Sequence, residues 1–509
     1  MAPRLRPPRL PPRRKVIRYT LLAFAAVSLL RIVTIDVRLT AEGEDFASRV
    51  WASSKPAPIP IETPLSTNAL PPTKSDTDFP SVKESALVVG LNEAFGQRPR
   101  KQLPEEVAEQ ACQNWWRGYS SYHKTVLSHN GSAGWPAPRL AVVKKGRGVL
   151  GDGGGLGDTV SSQVSSLVFA MLTGRVFQVY WTKARFVLES PYIDTRYTGP
   201  EEYLDLTPDK EDGGLAQSGD GAAQSSCVQM PYRIWAADWW LDDEVRKTGD
   251  FDRGRLSHQI ELLDTNKGVL SFWWDEPRVR VRMLAAGLDR DTLYGCALNF
   301  LFRPIPNLAS VMLPKAQMLV DVNTFSIGIH VRTDFTDRSM KGLDGEKTVQ
   351  EYWEPFQCAL DIETRYAELI GGRQVLWHVA SDSDSLRQDA RAVYGQGRRH
   401  VYVLDAKPTN AYIQSKSDSQ PCSYEWDCLD PVPIKALEAT FVEWWLFSLN
   451  DFFVITDSGM SASSVGRSMK RNTTYHLSID QEEKREKGQP VCLGEPTAWA
   501  LIEDLRAGM

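Results

Sequence analysis

The chain has little net charge, no closely paired Cys or His metal ligands and few histidines. Its 59 Lys and Arg stand against 64 Asp and Glu, a net charge of −5 over 509 residues. A broad basic surface is excluded, and nucleic acid with it as an expected partner. Seven His and seven Cys include no Cys-x-x-Cys and no His-x-x-x-His. The usual zinc frameworks, which need about four clustered ligands, are therefore absent. No glycine loop followed by a phosphate-binding Lys occurs, and no internal repeat is evident. What is present is globular: 42% hydrophobic and 24% charged residues, with a high count of 16 Trp, most of which belong in a core. The length suits two domains plus a tail.

The first 35 residues contain no Asp or Glu. Arg4, Arg6, Arg9, Arg13, Arg14, Lys15 and Arg18 precede an apolar run, 19–35, that is just long enough to span a bilayer although Arg31 interrupts it. The charge bias places residues 1–18 in the cytosol and the remainder in a lumen. A signal anchor fits better than a cleaved signal peptide, and an organellar transit peptide is the alternative. Two sequons, Asn130-Gly-Ser and Asn472-Thr-Thr, agree with a lumenal site. The seven Cys allow about three disulfides and a spare thiol, with Cys422 and Cys428 the nearest candidates for a local bridge. Residues 36–105 carry Pro56, Pro58, Pro60, Pro64, Pro71 and Pro72 among Ser, Thr and Lys, and read as an extended stem. The stretch 211–226 reads as a surface insertion.

Beyond the stem two α/β segments are expected. In the first, 106–322, a strand at 139–143 leads through Gly151-Asp-Gly-Gly-Gly155-Leu-Gly157-Asp158 into a helix. Its apolar face carries Val160, Val164, Leu167, Val168, Met171 and Leu172, and its other face carries serines. Gly174 ends it before a strand at 175–181. In the second, 323–509, strands at 325–331, 374–380, 400–404 and 452–456 alternate with helices near 348–369, 383–394, 433–449 and from 461. Such alternation implies parallel, doubly wound sheets with ligands at the carboxyl ends of the strands, and two such domains suggest a cleft between them.

Four constellations can carry chemistry. In Phe325-Ser-Ile-Gly-Ile-His330-Val-Arg332-Thr-Asp334, alternation places His330 and Arg332 on one face behind the small Ser326 and Gly328. Arg332 can grip a pyrophosphate in a bidentate manner, or close an ion pair with Asp334. Asp382, just past the next strand, can accept from a ribose or a base, or serve with Ser383 and Asp384 in capping a helix. Asp457-Ser458-Gly-Met-Ser461-Ala-Ser463 is a strand-to-helix turn whose free amides suit a phosphate, or a tightly packed turn. Gly155 and Gly157 form a Gly-x-Gly, but Val160 stands at the third fingerprint position, so it is no dinucleotide signature. Glycines there allow close approach to a sugar or phosphate. Trp239-Trp240 and Trp273-Trp274 could stack on sugars, though core packing is the more frequent role of such pairs.

In this order and spacing the segments resemble the fucosyltransferase superfamily. His330-Val-Arg332-Thr-Asp334, Ala380-Ser-Asp382-Ser-Asp-Ser-Leu386, and Asp451-Phe-Phe-Val-Ile-Thr456 with Ser463-Ser-Val-Gly-Arg467 are similar to core α1,6-fucosyltransferases and their nodulation relatives. Gly155-Leu-Gly-Asp-Thr-Val, Leu172-Thr-Gly-Arg-Val-Phe177 and Phe441-Val-Glu-Trp-Trp-Leu-Phe-Ser-Leu449 are more similar to plant xyloglucan fucosyltransferases. The resemblance implies a GT-B-like fold of two Rossmann-like domains facing a cleft. It implies GDP-fucose as donor, a glycan or glycoprotein acceptor, inversion at the anomeric carbon, no metal or other cofactor, and a type II Golgi membrane protein with its catalytic part lumenal. It assigns Arg332 to the pyrophosphate, His330 and Asp382 to the guanosine, and the turn Ser458, Ser461, Ser463 to phosphate. Gly155 and Gly157 join the donor site on the close-approach argument. Asp334 is the candidate base, with Asp337 behind it. The chain departs from the core enzymes in having one Arg rather than two in the first motif, and no coiled-coil stem or SH3-like module. Another nucleotide-sugar donor, a plastid-imported enzyme and a non-catalytic glycan-binding module are the competing readings.

Overall fold

Period-two apolar runs rich in Val, Ile and Phe, separated by helical segments with Ser, Asp or Pro at their starts, give the chain its alternating elements. The computed structural model describes residues 79–129, 138–144, 156–180, 187–197, 232–236, 260–264, 270–333, 347–404, 431–477, 490–492 and 495–497. All of them lie within one unit, Pro64–Met509. The elements are α1 (Ala86–Phe95), α2 (Pro104–Ser128), β1 (Leu140–Lys144), α3 (Leu156–Leu172), β2 (Val176–Tyr180), β3 (Leu188–Glu189), β4 (Tyr232–Ala236) and β5 (Ile260–Asp264). They continue with α4 (Leu270–Asp275), α5 (Pro277–Ala285), α6 (Arg290–Leu301), β6 (Arg303–Pro304), α7 (Pro306–Val320), β7 (Thr324–Val331), α8 (Trp353–Arg365), α9 (Ala367–Ile370) and β8 (Gln374–Ser381). The last are α10 (Asp384–Tyr394), β9 (Arg399–Val403), α11 (Pro431–Phe447), β10 (Phe452–Thr456), α12 (Gly459–Ser468) and β11 (Thr474–Leu477).

Two parallel sheets result. One has the order β2-β1-β5-β4, the other β11-β10-β7-β8-β9. Numbered from β7, the second order is 3-2-1-4-5, a doubly wound sheet whose order reverses between β7 and β10. That reversal fixes where a ligand crevice opens, because helices on either side of it leave in opposite directions.

The expected strands and helices of the second half match these elements within a few residues. β11 was not expected, since Thr474-Tyr-His-Leu is too short for a period to register. The expected helix at 348–369 is two helices, α8 and α9. The first-half helix begins at Leu156, and the reading of its serine face changes. Ser162 and Ser166 are as buried as Val160 and Val164. Their hydroxyls donate to carbonyls one turn back, at 2.8 Å each. A small-residue face satisfied in this way can be packed, and α3 lies against α12 and α6.

The expected stem is shorter than 36–105. Residues 79–105 are folded: Leu87, Val88 and Leu91 of α1 are buried, as is Leu103 ahead of α2. Lys101 donates to Asp451 at 2.5 Å, tying this segment to the start of β10. Removing residues 1–105 would take these groups out of the core. The prolines that signalled a stem all lie before residue 79.

Two disulfides join distant parts of the chain, Cys112 to Cys296 between α2 and α6, and Cys358 of α8 to Cys492. Cys422, Cys428, Asn130, the 19–35 run, 211–226 and Trp239-Trp240 lie outside the described residues. Trp273 and Trp274 are buried. Asn472 is exposed in the turn between α12 and β11. Among the described residues no helix is long and apolar enough to cross a membrane.

Candidate functional site at the sheet reversal

The carboxyl ends of β7 and β10 meet where the strand order reverses. Thr456 ends β10, and its hydroxyl accepts the backbone N–H of Arg332 at 2.9 Å. Arg332 therefore leaves β7 in a fixed direction. Its guanidinium lies 3.3 Å from Asp382, at the end of β8. The other Asp382 oxygen accepts both the N–H and the hydroxyl of Thr333, at 2.9 Å each. Arg332 is 29% exposed and Asp382 7%, so the guanidinium is the more accessible of the two groups. The contact with Asp382 was not foreseen from the sequence: β7 and β8 pair through Val331 and Ser381, so Asp382 emerges beside Arg332. Asp334, Asp337 and Gly155 lie outside the described residues. Ser383 caps α10, accepting from the Leu386 N–H at 3.3 Å.

His330 is buried on the α11 side of β7, its ring edge-on to Phe447. Burial lowers its pKa to about 4, so it is neutral, and its Nδ1 has no hydrogen-bond partner. The small residues before it leave no space for a ligand. A Cβ on Gly328 would stand 2.8 Å from the Asn450 amide and 3.0 Å from the Phe447 ring. Ser326 is occupied by Asp451. These small side chains admit the end of α11.

The turn after β10 meets the first sheet's helix at close quarters. A Cβ on Gly157 would fall 1.9 Å from the Gly459 carbonyl carbon, and one on Gly459 would fall 2.9 Å from Asp158. Gly157 thus serves close packing of the starts of α3 and α12 rather than approach of a ligand. Ser458 stands at the N-cap of α12 without a side-chain capping bond. Ser461 donates to the Ser458 carbonyl, and Ser463 donates to the Met460 carbonyl while accepting from Trp444 at 2.9 Å. The structure brings His330, Arg332, Asp382 and Ser458 to one edge. It places Gly157, Ser461 and Ser463 in the packing beneath it.

Sequence reasoning missed Glu443. The residue sits one turn before Phe447 on α11 and shares its face. It is buried, Oε1 has no partner, and desolvation pushes its pKa up to about 7, against the opposing pull of Arg387. The signal was a lone carboxylate in the apolar run Phe441-Val-Glu-Trp-Trp-Leu-Phe.

The raised pKa has a testable sign. Between about pH 4.5 and 7 the folded chain keeps a proton that the unfolded chain has lost, so this group makes stability fall as pH rises. Loss across that window is on the order of 3 kcal/mol. Glu443→Gln should flatten the slope and raise the urea midpoint at pH 7.5. Unfolding midpoints measured at half-unit steps from pH 4.5 to 8 check this, and an unchanged slope would rule out the assignment.

No family model and no curated protein matches the chain. Among solved structures it is similar to a mutant of Arabidopsis thaliana FUT1 in complex with GDP. The identity is 15%, over 78% of this chain and 80% of that one, at a TM-score of 0.47. It is also similar to the fucosyltransferase NodZ from Bradyrhizobium, with 10% identity over 68% of this chain and 97% of that one, at a TM-score of 0.37. A NodZ alpha-1,6-fucosyltransferase soaked with GDP-fucose gives 11% identity over the same shares, at a TM-score of 0.37.

Proposed function

We propose that the chain is an inverting glycosyltransferase of GT-B architecture that transfers fucose from GDP-fucose to a glycan or glycoprotein. One observation carries the reading. A guanidinium and an uncapped helix start flank the strand-order reversal, with the buried, unpartnered Nδ1 of His330 on the same strand as the guanidinium. A diphosphate suits the first pair, since Arg332 supplies a planar fork and α12 supplies amides. The fucosyl group and the guanine rest on the sequence resemblance.

When the donor's anomeric carbon–oxygen bond breaks, its electron pair passes to the diphosphate. Arg332 opposes that charge as it grows. The acceptor oxygen bonds to the same carbon from the opposite face, which inverts it. The guanidinium of Arg332 and the amides at the start of α12, both at the leaving group, support a reaction without metal.

A type II Golgi protein with the anchor at 19–35 is part of the same proposal. The basic leader supports it, as do the two long-range disulfides, which belong to an oxidising compartment. The test offers the full chain GDP-fucose, GDP-mannose and UDP-galactose with an array of glycans, with and without EDTA. Transfer of fucose undiminished by EDTA is the expected result. GDP binding without turnover would mark a non-catalytic module, and activity restored only by manganese would count against the metal-free mechanism.

A further inference from the structure

The proton released by the acceptor needs a destination, and the described structure holds one that the sequence did not suggest. His476 is the third residue of β11. Its Nε2 lies 2.6 Å from Oδ1 of Asp457, the residue that follows β10. A carboxylate only accepts, so Nε2 carries the proton and Nδ1 offers its lone pair. The imidazole makes no other side-chain hydrogen bond among the described residues. The backbone N–H of His476 donates to the Thr497 hydroxyl at 2.8 Å, which fixes the strand end. His476 and Asp457 are 14% and 21% exposed, enough for a small reactant to reach the ring.

Register places this pair relative to the diphosphate group. Ile455 pairs with His330 on one side and with His476 on the other. Registered neighbours in a parallel sheet point to the same face, so both histidines lie on the face covered by α11 and α12. Ile455 packs there with Phe447 and Val465. Arg332 continues from His330 by one full strand period on that face. His476 therefore stands two strands from β7, about 10 Å at the usual inter-strand spacing. The start of α12 lies at the strand between them.

That separation matches the reaction. In an inverting displacement the leaving oxygen and the attacking oxygen lie on opposite sides of the anomeric carbon. The span runs from a guanidinium bonded to the leaving group, across that carbon and the attacking oxygen, to a base in hydrogen-bond reach. It comes to roughly 10 Å.

We propose that His476 is the catalytic proton acceptor of the transfer and that Asp457 is its positioning residue. The inference rests on the glycosyl-transfer reading above. As the bond between the anomeric carbon and the diphosphate breaks, the acceptor hydroxyl oxygen bonds to that carbon and its proton passes to Nδ1 of His476. Asp457 holds the ring and stabilises the imidazolium, which then loses its proton to solvent. The arrangement is that of an orienting carboxylate, an imidazole and a hydroxyl, in which the carboxylate stays ionised.

The test needs no knowledge of the natural acceptor. Water can serve, and the full chain is incubated with GDP-fucose while GDP release is followed. His476→Gln keeps a hydrogen-bonding side chain of similar length and lacks a basic nitrogen. It should lower kcat for GDP release by about 10²–10³-fold, leaving the GDP dissociation constant within about threefold of the parent. Asp457→Asn should lower kcat by at least about tenfold with KM for GDP-fucose unchanged. In His476→Ala, added imidazole should restore part of the rate, a response that a purely structural role would not produce. A His476→Gln rate within about threefold of the parent overturns the assignment, and so does a fall in rate matched by an equal fall in GDP affinity. If that variant also melts early, the imidazole response decides. Rescue supports the assignment and its absence overturns it. A parent chain that neither binds GDP nor cleaves GDP-fucose fails the donor reading itself, an outcome separate from any of these.

Discussion

Arg332→Ala should reduce turnover by about 10²–10³-fold, because preorganised charge at the leaving group acts mainly in the transition state. GDP affinity should fall by about 1.5–3 kcal/mol, the worth of a charge-assisted hydrogen bond. Thermal stability should hardly move. The Arg332–Asp382 pair is 3.3 Å apart and its guanidinium is 29% exposed. Such a pair contributes no more than about 1 kcal/mol. Asp382 also keeps two donors from Thr333 when Arg332 is gone. Arg332→Lys should recover part of the loss, since an ammonium retains the charge without the planar fork. Calorimetric GDP titration and a melting curve on the same variant discriminate. Lower stability with unaltered GDP affinity would show that Arg332 only closes the strand end, and would remove the anchor of the proposed site.

The largest effect on the fold is expected at a contact far from the opening. Arg467 of α12 is 1% exposed and pairs with Glu105 of α2, 5% exposed, at 2.6 Å. Its second branch donates to Ser448 at 2.7 Å, and its guanidinium lies 4.3 Å from the centre of the Trp445 ring. Two charges so deep are tolerable only as a pair. Glu105→Ala leaves Arg467 buried without its counter-charge and should cost about 3–5 kcal/mol. Adding Arg467→Met should return much of the loss, because an apolar chain of similar length then fills the space. Urea unfolding of the single and double variants measures both. A single variant as stable as the parent, or a double variant worse than the single, would show that the pair is not what holds α12 to α2. Since the start of α12 faces the proposed diphosphate site, Glu105→Ala should also weaken GDP binding without touching the ligand.

The elements themselves were legible wherever period and length agreed. β7, β8 and β10 are apolar runs with clear ends, and their alternation with helices implied parallel sheets. Arg332 and Asp382 could be placed at strand ends for the same reason, since a strand's boundary fixes which residue emerges next. Local signals were weaker where composition misled. Prolines concentrated before residue 79 hid the helix at Ala86–Phe95, whose Leu87, Val88 and Leu91 are core. Small residues are ambiguous in any sequence, because a missing Cβ can admit a ligand or another backbone. Gly157 admits the Gly459 carbonyl, and Gly328 admits Asn450 and Phe447.

By itself, the sequence determined the alternating architecture, the strand ends that carry Arg332, Asp382 and Ser458, and the absence of a dinucleotide or zinc framework. All of these follow from residues within a few positions of one another, where backbone period and side-chain type suffice. Tertiary structure alone decided the strand order, and so the reversal between β7 and β10. It also decided the contact between Arg332 and Asp382, the burial of Glu443, and the meeting of Asp457 with His476 on neighbouring strands. These depend on which elements become neighbours, which is set by burying the apolar faces of all the helices and strands at once.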